Sequence, residues 1–338
     1  MVRVVRATQV EIETAVQALR DGELVAFPTE TVYGLGANAQ NPAAVRKIFE
    51  AKGRPTTHPV IVHLDSQRYL HRWVSEVPEL ALRLAERFWP GPLTMVMPRA
   101  ANVHEVVTGG QDTVAVRVPS HPMAQQLLTA FGGGIAAPSA NRYGKLSPTR
   151  AEHVREELGE TVKVILDGGE CQIGLESTIV SFEDSSVRLL RPGAVTAAQI
   201  RQVAGELLMG AGRAVPRVPG GTPSHYAPTT PMTIVPAGEI DAHAAAQSEG
   251  GRRVAVLAQR LPLRAHKYVT WINAGRRPEQ YGHDLYANLR TLDKAGCRRI
   301  LVQDVPEGEP WDAIRDRLLR AASRLSESDD TGAMAVLP

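Results

Sequence analysis

Pro216, Pro219, Gly220, Gly221, Pro223, Pro228 and Pro231 fall within sixteen residues, a density of backbone breakers that no helix or strand tolerates. The stretch 206–231 therefore reads as a linker, and the chain must fold as two bodies, 1–205 and 232–338. The length agrees, because 338 residues exceed what one ordinary core organises.

On both sides of the linker, strand-like and helix-like segments alternate, as in α/β domains. Glu11–Arg20 reads as a helix ended by Asp21-Gly22, and Glu23–Phe27 as a strand. Asn41 can cap a helix with Pro42 in its first position and Val45, Ile48 and Phe49 as its apolar stripe. A helix over Pro78–Phe88 is stopped by Pro90-Gly91-Pro92, and Val114, Val116 and Val118 alternate with Thr113, Ala115 and Arg117 at strand period. Further strands are expected at 134–137, 162–166, 177–181 and 187–190. After the linker come strands at 232–235, 253–258, 268–272 and 299–302, with helices near 241–247, 278–295 and 311–325. That spacing predicts a small open, mostly parallel sheet.

Lys and Arg number 38 against 36 Asp and Glu, a net charge of +2, which argues against a global grip on nucleic acid while permitting a local basic cleft. Aromatic residues at 5% argue against a row of stacking platforms for single strands. With 43% hydrophobic and 22% charged residues the chain can build sizeable cores. Cys171 and Cys297 alone make neither a disulfide framework nor a zinc site. The first residues lack a signal-peptide apolar run, and no stretch approaches the ~20 apolar residues of a membrane helix. The expectation is a soluble, cytoplasmic protein.

The most unusual local pattern is Lys52-Gly53-Arg54-Pro55. Lys52 continues the apolar stripe of its helix, Gly53 ends that helix, and Arg54 follows at once. A cation aimed inward there needs an anion, a carbonyl or a route back to water; the plainer alternative is a cation covering a helix C-terminus. The loop Ala137-Pro138-Ser139-Ala140-Asn141 offers hydroxyl, amide and N–H groups that suit a phosphate, or an ordinary turn. Gly34-Leu35-Gly36-Ala37-Asn38-Ala39 imitates a dinucleotide fingerprint, but the strand ends at Phe27 and Pro28 interrupts the required turn. A hydroxyl-rich loop over Pro28–Gly36, suited to a small polar ligand, is the better reading. Arg117 and Arg191 read singly as surface or salt-bridged residues, and His58 and His63 as turn and strand residues. If both arginines share a cleft with Lys52 and Arg54, the four cations suit a triphosphate. No P-loop, His-Glu-x-x-His or Cys-x-x-Cys occurs, and no Ser-His-Asp triad can be placed. Positioned cations and polar loops are what the chain offers.

Taken together, Lys52-x-Arg54-Pro55 with His63, the 28–36 loop, Phe88-Trp89-Pro90-Gly91-Pro92-Leu93-Thr94, Ser139-x-Asn141, Glu176-Ser177-Thr178 and Arg191-Pro192-Gly193 resemble the threonylcarbamoyl-AMP synthases in type and order. His225-Tyr226-Ala227-Pro228 before a further α/β domain is similar to the long, two-domain form. The resemblance implies a YrdC-like twisted α/β sheet with a concave active-site face, plus a smaller Rossmann-like open-sheet domain. It implies conversion of L-threonine, bicarbonate (or carbon dioxide) and ATP, with Mg²⁺, to threonylcarbamoyl-AMP and pyrophosphate. The product would pass to proteins that make threonylcarbamoyladenosine in tRNA. By the same resemblance Lys52 and Arg54 serve catalysis, and with Ser139 and Asn141 they form the tetrad for ATP. His58, Thr113, Ser147 and Arg191 match further nucleotide contacts, and His225 or Tyr226 would close the linker over the nucleotide. Thr31, Tyr33, His63, Arg117 and Ser177 match the threonine site. Pro219–Ser224 departs from the family's usual linker lead-in.

Two other readings compete. One is an RNA-binding module that uses the same cationic face without chemistry; it predicts salt-sensitive RNA binding and no ATP turnover. The other is a carbamoyl-transferring enzyme similar to large hydrogenase-maturation proteins, against which the missing cysteine clusters count.

Overall fold

The computed structural model describes residues 3–6, 8–183, 185–210, 215–220 and 226–323. The chain divides into two compact units, Met1–Tyr143 with Ser147–Gly221, and Gly144–Leu146 with Thr222–Pro338.

In the first unit the strands are β1 (Arg3–Arg6), β2 (Val25–Phe27), β3 (Gly34–Asn38), β4 (Ile61–His63), β5 (Leu93–Pro98), β6 (Thr113–Arg117), β7 (Ile135–Ala136), β8 (Val164–Asp167), β9 (Thr178–Glu183), β10 (Ser186–Arg191) and β11 (Leu207–Leu208). They form one mixed sheet in the order β1-β8-β2-β3-β7-β4-β6-β5-β9-β10-β11. The helices are α1 (Gln9–Arg20), α2 (Pro42–Lys52), α3 (Glu79–Phe88), α4 (Glu105–Thr108), α5 (Pro122–Phe131), α6 (Ala151–Leu158) and α7 (Ala197–Ala204).

Local chemistry sets the helix ends as the sequence predicts. The Asn41 side chain accepts from the Ala43 and Ala44 amides at the start of α2, and Gly53 takes a left-handed φ of 63° at its end. The hydroxyl-rich loop is shorter than expected, because its glycine tail is β3, antiparallel to β2. Gly36 permits this pairing: a Cβ there would lie 2.8 Å from both Ile135 Cγ2 and Phe27 Cε1.

Alternation along the strands sorts side chains between the two faces. Val25, Phe27, Val164 and Leu166 pack beneath α1 and α5 with Ile12, Leu19, Leu127 and Leu128. Ala26 and Ile165 point the other way, into the main core with Val45, Ile48 and Phe49 of α2, Leu84 of α3 and Val154 of α6. Val62, Met95 and Val116 extend that core across β4, β5 and β6. Among the described residues, the opposite face of those strands carries a small apolar cluster, Ile61, Val96, Ala115 and Ile179, with Val218 packed on it. Two residues along from Ile61 and Ala115, on this thinly covered face, stand His63 and Arg117.

The second unit has a fully parallel sheet of β12 (Met232–Val235), β13 (Val254–Ala258), β14 (Val269–Asn273) and β15 (Arg299–Gln303), in the order β12-β15-β13-β14. Helices α8 (Ile240–Ser248), α9 (Pro278–Asp293) and α10 (Glu309–Ala322) connect or follow the strands. This is a small Rossmann-like sheet. Among the described residues no helix is long and apolar enough to cross a membrane.

Candidate active site

The pairing of β4 with β6 sets His63 directly beside Arg117. Arg117 is buried, with a contact from each of its three guanidinium nitrogens. Its Nε donates to the Gly91 carbonyl at 3.2 Å, Nη1 to Thr31 Oγ1 at 2.9 Å, and Nη2 lies 2.8 Å from Glu30 Oε1. Glu30 also accepts the Ser120 amide at 3.1 Å. Burial first, and the Arg117 charge second, lower the His63 pKa to about 3, so the imidazole is neutral at physiological pH. Thr31 hydrogen bonds Thr29 at 2.8 Å. The Tyr33 hydroxyl donates to the Gly169 carbonyl at 2.7 Å and accepts the Gly168 amide at 3.2 Å, and burial pushes its pKa up.

Ser177 is held from two sides. Its hydroxyl lies 2.7 Å from Thr94 Oγ1, while Arg191 Nη2 donates to its carbonyl at 2.8 Å and its hydroxyl at 3.2 Å. Arg191 Nη1 reaches the Pro219 carbonyl at 2.8 Å, tying this residue of the proline-rich stretch to the site. Gly193 makes the approach possible, since a Cβ there would stand 2.3 Å from the Thr178 amide nitrogen.

Lys52 lies buried at the end of α2, as its place on the apolar stripe requires. Its ammonium donates to the carbonyls of Ser139 (2.6 Å) and Asn141. Burial, then the neighbouring Arg54 charge, push its pKa well down. Lys52 thus ties α2 to the Ser139–Asn141 loop, which is joined to the 31–35 segment: the Ala140 amide donates to the Tyr33 carbonyl and Leu35 to Pro138. Arg54 Nη2 donates to the Pro59 carbonyl at 2.7 Å. The His58 ring stands edge-on to Tyr143 at 5.6 Å, its pKa lowered by burial and then by Arg54 and Arg217.

Hydrogen bonds therefore chain the 29–35 loop, Arg117, Gly91–Thr94, Ser177, Arg191, Lys52 and the 139–141 loop into one contiguous assembly. Ser147 joins it through the Tyr33 amide, which donates to the Pro148 carbonyl at 2.9 Å. Thr113 stands apart at the start of β6, roughly 13 Å from Arg117 along the strand, beside Ser181 and Pro216 on a cavity of about 500 Å³. Tyr226 lies in the second unit, 6.0 Å from the Tyr286 ring and with the Arg317 guanidinium 5.2 Å from its centroid. His225 lies outside the described residues.

Four polar residues escaped the sequence reading. Glu30 pairs Arg117, Glu176 hydrogen bonds Ser147, Thr94 holds Ser177, and Arg217 adds its charge beside His58. Glu30, Thr94 and Glu176 lay inside motifs already noted; only their burial marks them out. Arg217 has no comparable signal.

A family model described as "Telomere recombination" matches residues 17–193, and one described as "Threonylcarbamoyl-AMP synthase, C-terminal domain" matches 195–323. The chain is 40% identical to the threonylcarbamoyl-AMP synthase of Pyrococcus abyssi, over 94% of this chain and 95% of that protein. The chain belongs to the threonylcarbamoyl-AMP synthase family. The synthase of Bacillus subtilis is 42% identical over 92% of this chain and 93% of its own length. The crystal structure of P. abyssi Sua5 complexed with L-threonine superposes with a TM-score of 0.88 at 39% identity, over 95% of this chain and 97% of that one. Both units are thus matched by the long, two-domain form of the family.

Proposed function

We propose that the face bearing His63 and Arg117 holds L-threonine while the adjoining loops hold ATP, so that this threonylcarbamoyl-AMP synthase brings both substrates together on one side of its sheet. The observation that carries the placement is the Gly91–Thr94 segment. Its Gly91 carbonyl takes the Arg117 guanidinium and its Thr94 hydroxyl takes Ser177, which Arg191 also holds.

In this reading Arg117, oriented by Glu30 and Thr31, meets the threonine carboxylate. Neutral His63, with Ser177 and Thr31, orients the amino acid, and Tyr33 fixes the loop that carries Thr31. The threonine amine attacks carbon dioxide and gives up a proton to form a carbamate, or attacks bicarbonate and forms the same carbamate with loss of water. A carbamate oxygen then attacks the α-phosphorus of ATP, forming threonylcarbamoyl-AMP and releasing pyrophosphate. No protein nucleophile is needed; proximity and charge neutralisation are. Arg54 and Arg191 take up charge on the phosphates, with His58, Ser139, Asn141 and Ser147 as polar contacts. Lys52, whose N–H groups donate to the Ser139 and Asn141 carbonyls, acts as a post that sets the loop. Thr113, beside Ser181, suits the far end of the nucleotide.

Mg²⁺ fits this site as a companion of ATP. Glu176 with the Ser147 hydroxyl is one carboxylate beside one neutral oxygen, a donor set for an ion that takes its other ligands from phosphate and water. Bound there, it would neutralise phosphate charge. Transfer of the product to proteins that modify tRNA, and a cytoplasmic setting, belong to the same proposal. The buried state of Lys52, Arg117 and Arg191, each at most 4% exposed, argues against a face that grips an RNA backbone instead.

The test is pyrophosphate release from ATP with bicarbonate present and tRNA absent. Omitting L-threonine is expected to abolish the signal; release that persists without threonine overturns the reading.

A further inference from the structure

Residues 217–219 of the proline-rich stretch form a strap held at both ends. The Arg217 amide donates to Gln111 Oε1 at 2.7 Å, and the Arg217 carbonyl accepts from Gln111 Nε2 at 3.1 Å. Val218 packs on the cluster of Ile61, Val96, Ala115 and Ile179, and the Pro219 carbonyl accepts from Arg191. From this fixed backbone the Arg217 side chain turns toward the residues around His58. Its Nη2 donates to the Gly109 carbonyl at 2.9 Å. Gly109, at φ 62°, lies so near the 57–59 backbone that a Cβ on it would stand 2.3 Å from the Thr57 oxygen and 3.0 Å from the Pro59 nitrogen. Arg54 reaches the same three residues from the end of α2, through the Pro59 carbonyl at 2.7 Å.

Two guanidinium groups therefore converge on residues 57–59, and after burial their charges lower the His58 pKa. Like charges brought together repel unless an anion lies between them. Among the described residues no carboxylate forms an ion pair with Arg217, and Asp112, next to Gln111, faces Arg99 at 4.0 Å instead. Arg217 is exposed, and among the described residues its Nε and Nη1 make no hydrogen bond. Its neighbours are differently placed. Lys52 donates to the Ser139 and Asn141 carbonyls, while Arg191 holds Ser177 and Pro219. A guanidinium with two nitrogens open to water matches the oxygens of a phosphate.

We propose that Arg217 is a further phosphate-binding residue of the ATP site and takes the β- and γ-phosphates, which leave together as pyrophosphate. The inference rests on the placement of ATP given above. Arg191 bonds Ser177 and so stands beside the carbamate that attacks the α-phosphorus. Arg217 touches no residue assigned to L-threonine, which leaves it the other end of the triphosphate. As the carbamate oxygen bonds to the α-phosphorus, the bond to the bridging oxygen breaks and its electron pair stays with pyrophosphate. The Arg217 charge offsets the charge that develops there.

The experiment is calorimetry of the full chain with ATP, AMP, pyrophosphate and L-threonine as separate probes. Arg217→Ala is expected to weaken ATP and pyrophosphate about tenfold or more, the loss of one charge-assisted contact, and to leave AMP and L-threonine at the parent affinity. Arg217→Lys keeps a charge at the same place and should recover part of the loss. Gln111→Ala frees the main chain of the strap but keeps the guanidinium, so its effect on pyrophosphate should be the smaller. Thermal midpoints at the parent value would show that the variants are folded. Unchanged pyrophosphate affinity in Arg217→Ala would overturn the proposal. So would equal weakening of AMP and ATP, which puts the contact on the α-phosphate or the nucleoside. A loss in Gln111→Ala equal to that in Arg217→Ala, with no recovery in Arg217→Lys, would reduce Arg217 to an anchor of the strap and overturn it too. Arg54→Ala separates this inference from the reading beneath it. If Arg54→Ala loses pyrophosphate and Arg217→Ala does not, the role of Arg217 alone falls; if both keep it, the placement of the phosphates falls as well.

Discussion

Glu30 and Arg117 form a 2.8 Å ion pair with both side chains almost wholly out of water. Glu30 comes from the turn after β2 and Arg117 from the end of β6, so the pair joins distant parts of the chain. Removing one partner of a buried pair leaves a charge without compensation and costs about 3–5 kcal/mol, whereas an exposed pair contributes about 0–1 kcal/mol. Glu30→Gln is therefore expected to lower the unfolding free energy of the ligand-free protein by about 3 kcal/mol in a denaturant titration. L-Threonine, whose carboxylate would stand near the same guanidinium, should restore part of the loss. A deficit below about 1 kcal/mol would mean that water reaches the pair.

His63 gives acid sensitivity a definite sign. In the folded protein its pKa lies at about 3, against roughly 6.5 in an unfolded chain. Between those values the unfolded state holds the extra proton. The contribution is thus complete above about pH 6.5 and is lost as pH falls toward 3, at up to about 1.4 kcal/mol per pH unit. Denaturant titrations at pH 7 and pH 5 should show a steeper loss in the parent than in His63→Gln. Parallel losses would assign the acid sensitivity to other groups.

The same residues show how far sequence carries. Lys52 was legible because a lysine on an apolar stripe, followed by Gly53, has few places to go, and it is buried at the helix end. The second sheet was legible because strands spaced by helices leave little choice but parallel pairing, and all its pairs are parallel. β3 was not, because glycines at 34 and 36 read as loop until Ile135 and Phe27 are seen against them. β5 and α5 were missed, although Leu93–Pro98 and Pro122–Phe131 form regular elements. Their ends coincide with prolines that read as breaks. Within the site, Glu30 was hidden because its partner lies 87 positions away, a separation that pattern within one element cannot bridge.

Gly193 tests close approach without removing any polar side chain. A methyl at this position would meet the Thr178 amide nitrogen at 2.3 Å and the Ser177 carbonyl carbon at 2.6 Å, both backbone atoms. Gly193→Ala should destabilise by about 1–3 kcal/mol and displace Ser177. Calorimetry should then record weaker L-threonine binding together with a lower thermal midpoint. Normal threonine affinity would show that Ser177 does not set that site.

Arg54→Ala removes a guanidinium assigned to the phosphates. By comparison with other electrostatic donors at reacting centres, the loss should be about 3 kcal/mol, or roughly a hundredfold or more in the rate of pyrophosphate release at saturating ATP. Near-parent turnover would remove Arg54 from the charge-neutralising role.

Arg191 spans more than a lysine can. Its guanidinium reaches the Ser177 carbonyl and hydroxyl and, from another nitrogen, the Pro219 carbonyl. A single ammonium on a shorter fork cannot hold both sides, so the substitution is not conservative here. Each charge-assisted bond lost contributes about 1.5–3 kcal/mol, and Arg191→Lys should reduce kcat/KM for threonine by roughly tenfold to a hundredfold. Release of Pro219 should also make the neighbouring residues 215–220 easier to cleave in limited proteolysis. If kcat/KM falls while cleavage stays at the parent rate, Arg191 acts on the substrates alone. If cleavage rises while kcat/KM holds, it serves only to anchor the proline-rich stretch.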